Sequence, residues 1–155
     1  MSKSEWFGSV LENQQLLELE KAYEIIAAYL GRDNDLTEVD LSNMRDTPRR
    51  VAKSFMEMTQ TRTQISQKIK DIISTAFPSS KSSGHLPGII TQGPIEVVSL
   101  CPHHWLPVKY EIFVSYIPSI EGNVLGLSKL ARLCIELGKR PVLQEDLTKD
   151  IVDVL

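Results

Sequence analysis

Only one region of the 155-residue chain alternates as strands do. "GIITQGPIEVVSL" (88–100) is rich in β-branched residues, and a bulge or turn is expected at Gly93–Pro94. "LPVKYEIFVSYIP" (106–118) places Val108, Tyr110, Ile112, Val114 and Tyr116 on one face. Phe113 and Ile117 on the other face predict burial on both sides. "CPHHW" (101–105) joins the two segments as a hairpin. A lone hairpin is marginal in water. This one must be covered by helices, completed by strands of other subunits, or extended by strands that follow Leu155.

The rest of the pattern is helical. Leu16, Leu19, Tyr23, Ile26, Ala27 and Leu30 recur at helical spacing, predicting a helix over 10–30 with Ser9 as cap and Gly31 just past its end. "GRDNDLTEVDLSNM" (31–44) reads as a polar loop. "DTPRRVAKSFMEMT" (46–59) predicts a second helix, with Thr47 as N-cap, Pro48 at the first helical position and Val51, Phe55 and Met58 on its apolar face. A third is expected over 64–75, through Ile65, Ile69, Ile72 and Ile73. Phe77–Gly88 is a Ser/Pro/Gly-rich loop that contains His85. After the hairpin, Leu130, Leu133, Cys134 and Leu137 form a stripe behind Ser128 as N-cap. Arg140–Pro141 interrupts it. A last helix shows Leu143, Leu147, Ile151 and Val154, with Glu145 and Asp146 in its first turn, where acids complement the dipole.

Composition narrows the function classes. A net charge of −3 provides no basic field for nucleic acid, though a local basic pocket could still take an anionic small molecule. Two cysteines are too few for a disulfide framework. No signal-peptide core or membrane-length apolar run is visible, so a reducing cytoplasm is the expected compartment. Cys101 is then a free thiol or a metal ligand.

Thiolate and imidazole are common zinc ligands, and Cys101-x-x-His104 at a strand end can turn both toward one ion. His103, pointing elsewhere, could serve as an acid or base. The plain alternative is a cysteine beside two hydrogen-bonded histidines in a turn, and spacing alone does not choose. Cys134 reads as a packed core thiol and His85 as a solvated loop residue, so neither completes a metal site. "GLSKLAR" (126–132) opens a helix with Ser128, Lys129 and Arg132: an anion site, or an ordinary capped helix with solvated cations. Arg49, Arg50 and Lys53 pose the same choice. Trp105 and Tyr110 read as packing residues.

Taken in order, "DTPRRVAK" (46–53), "SLCPHHWLPV" (99–108), "VSYIP" (114–118), "VLGLSKLARL" (124–133) and "KRPVLQEDLTKDI" (139–151) resemble the GTP cyclohydrolase I family. The match in order and spacing runs from about residue 10 to the last. The resemblance implies an α+β chain: N-terminal helices and loop (1–88), then a tunnelling-fold (T-fold) domain (89–155) of antiparallel strands plus two helices, here cut to a hairpin and the helix pair. It implies Zn2+ on Cys101 and His104, with His103 transferring protons. Ser128, Lys129 and Arg132 would hold the triphosphate, and Gln144 and Glu145 the guanine. Arg50, assisted by Lys53, would reach the phosphates of a neighbouring subunit's site. The implied reaction opens the guanine ring of GTP, giving formate and 7,8-dihydroneopterin triphosphate at the entry to pterin and folate biosynthesis. The implied assembly is a homo-oligomer, typically a decamer, with sites between subunits.

The sequence departs from the family in two places. Pro102 stands where the family usually has Glu, removing a carboxylate and an N–H. The family also continues with two strands whose His-x-Cys segment supplies the third zinc ligand, whereas this sequence stops at Leu155. The expectation is a fragment of a longer protein. The alternative is a non-catalytic or regulatory T-fold protein that binds a purine or pterin.

Overall fold

The computed structural model describes residues 3–32, 36–78, 88–119 and 122–155, with side chains from residue 13 onward. The chain forms two compact units, Met1–Glu57 and Met58–Leu155.

The first unit is helical. α1 (Lys3–Leu30) begins earlier than its periodicity implied, so Ser9 lies within it and is not its cap. The Gly31 N–H donates to the Ala27 carbonyl at 2.8 Å and closes its end. Leu16, Leu19, Tyr23 and Ala27 form the half-buried stripe, while Ile26 and Leu30 are exposed. The expected polar loop contains α2 (Glu38–Met44). Thr37 and Asp40 satisfy each other's backbone N–H groups there, a reciprocal cap that starts even a short helix. The Thr37 hydroxyl, which also donates to the Asp40 carboxylate at 2.6 Å, and then the Thr37 N–H hold that carboxyl below its ordinary range. α3 (Thr47–Met58) buries Pro48 and Ala52, while Val51, expected on the apolar face, is exposed. Its Phe55 ring meets Tyr23 edge-on at 6.2 Å, and Arg49 pairs with Glu20 at 3.1 Å.

The second unit contains the hairpin. α4 (Arg62–Ile73) is capped by Thr61 and Gln64 in the same reciprocal way and buries Ile65 and Ile69. β1 (Phe77–Pro78) pairs with β4 (Asn123–Val124), so the predicted loop starts with a short strand. The remainder of that loop up to residue 87, with His85, lies outside the described residues. β2 (Ile90–Leu100) and β3 (Pro107–Tyr116) pair antiparallel, from Ile90 against Tyr116 to Leu100 against Pro107. The register shifts between Gln92 and Ile95, where the irregularity was expected and where the Gly93–Pro94 bond is cis. A side chain at 93 would collide with the Phe113 ring, which lies over that glycine.

α5 (Leu127–Leu137) and α6 (Gln144–Val154) follow. Their buried faces supply Leu130, Leu133, Cys134, Leu137, Leu147 and Ile151, which join Ile65, Ile69, Ile95, Val97 and Val114 in one core. The α5 stripe is the one the spacing predicted. Its cap is not: Gly126 takes that position and Ser128 lies inside the first turn. Gly138 ends α5 close against Val97, where no side chain would fit. Among the described residues the predicted two-sided burial of the hairpin is absent, since Phe113 is 67% and Ile117 65% exposed. Helices cover one face only. The other carries Glu96, Lys109 and Glu111, and a Thr91–Ser115 hydroxyl bond of 2.9 Å. The architecture is α+β, as expected. Among the described residues no helix is long and apolar enough to cross a membrane.

Candidate functional site

The turn between β2 and β3 is closed by its own backbone. Cys101 N–H donates to the Leu106 carbonyl, and Trp105 N–H donates to the Cys101 carbonyl, both at 2.8 Å. Trp105 takes φ 55°, a left-handed conformation uncommon for a large side chain, and this reverses the chain. The N–H groups of His103 and His104 thereby face the half-buried Cys101 sulfur. The His103 backbone donor, then the His104 imidazole and its backbone donor, pull the Cys101 thiol down to about 6. Hydrogen bonds to the charged form favour that form, so the thiolate predominates at neutral pH.

The turn also aims the imidazoles. Cys101 Sγ lies 3.6 Å from His104 Nδ1 and 4.0 Å from His103 Nδ1. Tetrahedral zinc bonds put a thiolate sulfur and an imidazole nitrogen about 3.6 Å apart. Cys101 and His104 therefore fit as two ligands of one ion. Among the described residues no group of three or more His, Cys, Asp or Glu comes together to hold a metal. Cys134 is fully buried in the core, which pushes its thiol up to about 11.

A second segment meets the same end of the hairpin. Pro141 bridges Leu100 in parallel, and Val142 N–H donates to the Leu100 carbonyl at 3.2 Å. The buried Ser99 hydroxyl donates to the Arg140 carbonyl at 2.7 Å, and the Tyr110 hydroxyl to the Val142 carbonyl at 2.8 Å. Gln144 and Glu145 follow at once, exposed in the first turn of α6. Burial, then the charges of Cys101 and Glu145, push the Tyr110 hydroxyl above its usual pKa. Tyr110 thus stands in the field of both groups. Tyr110 and Gln144 also line a groove of about 530 Å³ between β3 and α6.

The remaining candidates lie elsewhere. Ser128, Lys129 and Arg132 occupy the start of α5, with Lys129 half-buried and the other two exposed. That start is tied to the far end of β3, where the Tyr116 hydroxyl meets both the N–H and the carbonyl of Leu125, at 3.1 and 3.2 Å. Arg50 and Lys53 are exposed on α3 in the first unit, where Arg50 pairs with Asp46 at 3.6 Å. Sequence reading took Tyr110 for a packing residue and missed the bond of its hydroxyl to Val142. Its signal was a hydroxyl on an inward strand face, which needs a partner when buried.

The family model for GTP cyclohydrolase I matches residues 19–155. The chain belongs to the GTP cyclohydrolase I family. A GTP cyclohydrolase 1 of Thermobifida fusca is 34% identical over 137 residues, covering 88% of this chain and 60% of the relative. That of Streptomyces avermitilis is 39% identical over 116 residues, covering 75% and 54%. That of Lysinibacillus sphaericus is 32% identical over 145 residues, covering 94% and 69%. The chain thus spans little more than half the length of the first two. The span matched to GTP cyclohydrolase I includes the Cys101–His104 turn, both helices after the hairpin, and α3 with Arg50 and Lys53.

Proposed function

We propose that the chain acts in the hydrolytic opening of the guanine ring of GTP, giving formate and 7,8-dihydroneopterin triphosphate. The observation that carries this reading is the Cys101–His104 pair, at zinc-ligand separation, in a chain of this family. Bound there, Zn2+ would lower the pKa of a water and supply a hydroxide near neutral pH. His103, exposed beside the pair, passes protons to and from the ring. Glu145 accepts hydrogen bonds from the guanine N–H groups, with Gln144 beside it. Ser128, Lys129 and Arg132 hold the triphosphate at a helix N-terminus, and Arg50 and Lys53 reach the phosphates held by a neighbouring subunit. The product enters pterin and folate synthesis in the cytoplasm.

The geometry also supports a homo-oligomer. Tyr110 and Tyr116 mark the two ends of the site on β3, six residues or roughly 20 Å apart. In that assembly the Cys101 turn of one chain and the α5 start of another serve one nucleotide, and each nucleotide lies between copies.

The test is zinc content and turnover of the purified chain, the latter as fluorescent neopterin after oxidation. Cys101→Ala and His104→Ala should each lose zinc, whereas His103→Ala should keep zinc and lose turnover. Zinc that survives both ligand changes sinks the assignment. GTP binding without turnover supports the non-catalytic reading.

A further inference from the structure

Two tyrosines on the inward face of β3 each clasp the approach to one helix. Tyr116 holds Leu125, ahead of α5, and Tyr110 holds Val142, ahead of α6. The α6 N-terminus has no side-chain cap of its own, since Leu143 occupies that position. Its placement depends on how residues 140–142 are tied to the hairpin. Ser99 and Leu100 tie them along β2, and Tyr110 ties them from β3. Tyr110 is directly opposite Val97, and its partly buried side chain packs against the core. Its hydroxyl reaches the last carbonyl but one before Gln144.

We propose that Tyr110 is a positioning residue for base recognition: its bond to the Val142 carbonyl sets Gln144 and Glu145 against the Cys101–His104 turn. This rests on the reading that Glu145 meets the guanine edge. Without the hydroxyl, the ring still fills its place in the core while the first turn of α6 loses its tie to β3. The loss should fall on contacts to the base and spare contacts to the phosphates.

The experiment compares GTP with inosine triphosphate, which lacks the 2-amino donor of guanine, by calorimetric binding to the full chain. The unsubstituted chain should prefer GTP by about tenfold, the worth of one good hydrogen bond. Tyr110→Phe should weaken GTP by about that factor, weaken inosine triphosphate, which keeps the N1–H but lacks the 2-amino group, by less, and so narrow the preference. Tyr116→Phe removes an equivalent hydroxyl from the same strand face and should weaken both nucleotides alike. Far-UV circular dichroism checks that both variants are folded. If Tyr110→Phe weakens both nucleotides equally, or neither, the positioning role is overturned while the base-recognition reading stands. If Glu145→Gln leaves the preference intact, or the unsubstituted chain shows none, that reading fails and takes the Tyr110 proposal with it.

Discussion

Cys101 and Cys134 carry the same thiol into opposite surroundings. The first faces two backbone N–H groups and an imidazole, and the second is enclosed by Leu130, Leu133 and their neighbours. In chelator-treated protein, alkylation of Cys101 should therefore rise with pH and reach half its maximum near pH 6, where its thiolate forms. Cys134, pushed up to about 11, should stay unmodified until the chain unfolds. Peptide mapping after brief iodoacetamide treatment separates the two, and equal labelling would contradict this picture. His104→Ala should move the Cys101 midpoint upward, but not to the ordinary thiol value, because the His103 N–H remains the leading cause. The sequence pointed to Cys101, His103 and His104 together because they fall within one turn. It did not show Tyr110, because that hydroxyl meets a carbonyl 32 residues away.

Among the helices, local signals were legible where periodicity and burial agree. The α5 stripe is the clearest case: Leu130 is fully buried, and Leu130→Ala should cost about 2–5 kcal/mol, read from urea unfolding. Thr61→Ala removes one half of a reciprocal cap and should cost about 1 kcal/mol, with α4 fraying first in hydrogen exchange. Cost at the same sites in the reverse order would mean that α4 holds the core more than α5 does. The expected loop at 31–44 hid α2 because its composition is polar while its start is fixed by two residues, Thr37 and Asp40. Phe113 misled in the other direction. Alternation marks which residues share a face, not what covers that face, and here the ring lies over Gly93 instead of in a core.

For the whole molecule, the homo-oligomer proposed above has each site draw its Cys101 turn from one copy and its α5 start from a second. Cys101→Ala and Lys129→Ala chains should each be inactive alone and complement when mixed and reassembled. In a random mixture about a quarter of the sites would draw both halves from unaltered partners. Neopterin formation by the mixture, at roughly that fraction of the unsubstituted rate, checks it. Failure of complementation, with both variants folded and assembled, would place both halves of a site in one chain.

The strap formed by residues 140–142 has a consequence for how this protein can vary. Arg140 and Val142 are held through their carbonyls, so the tie does not read the side chains that follow. Gln144 and Glu145 are exposed beyond it and make no contribution to the core. In the proposed reading, base preference is thereby separable from folding. A library randomised at these two positions should stay folded nearly throughout, and new ring specificities would be reachable by one or two substitutions without a stabilising change elsewhere.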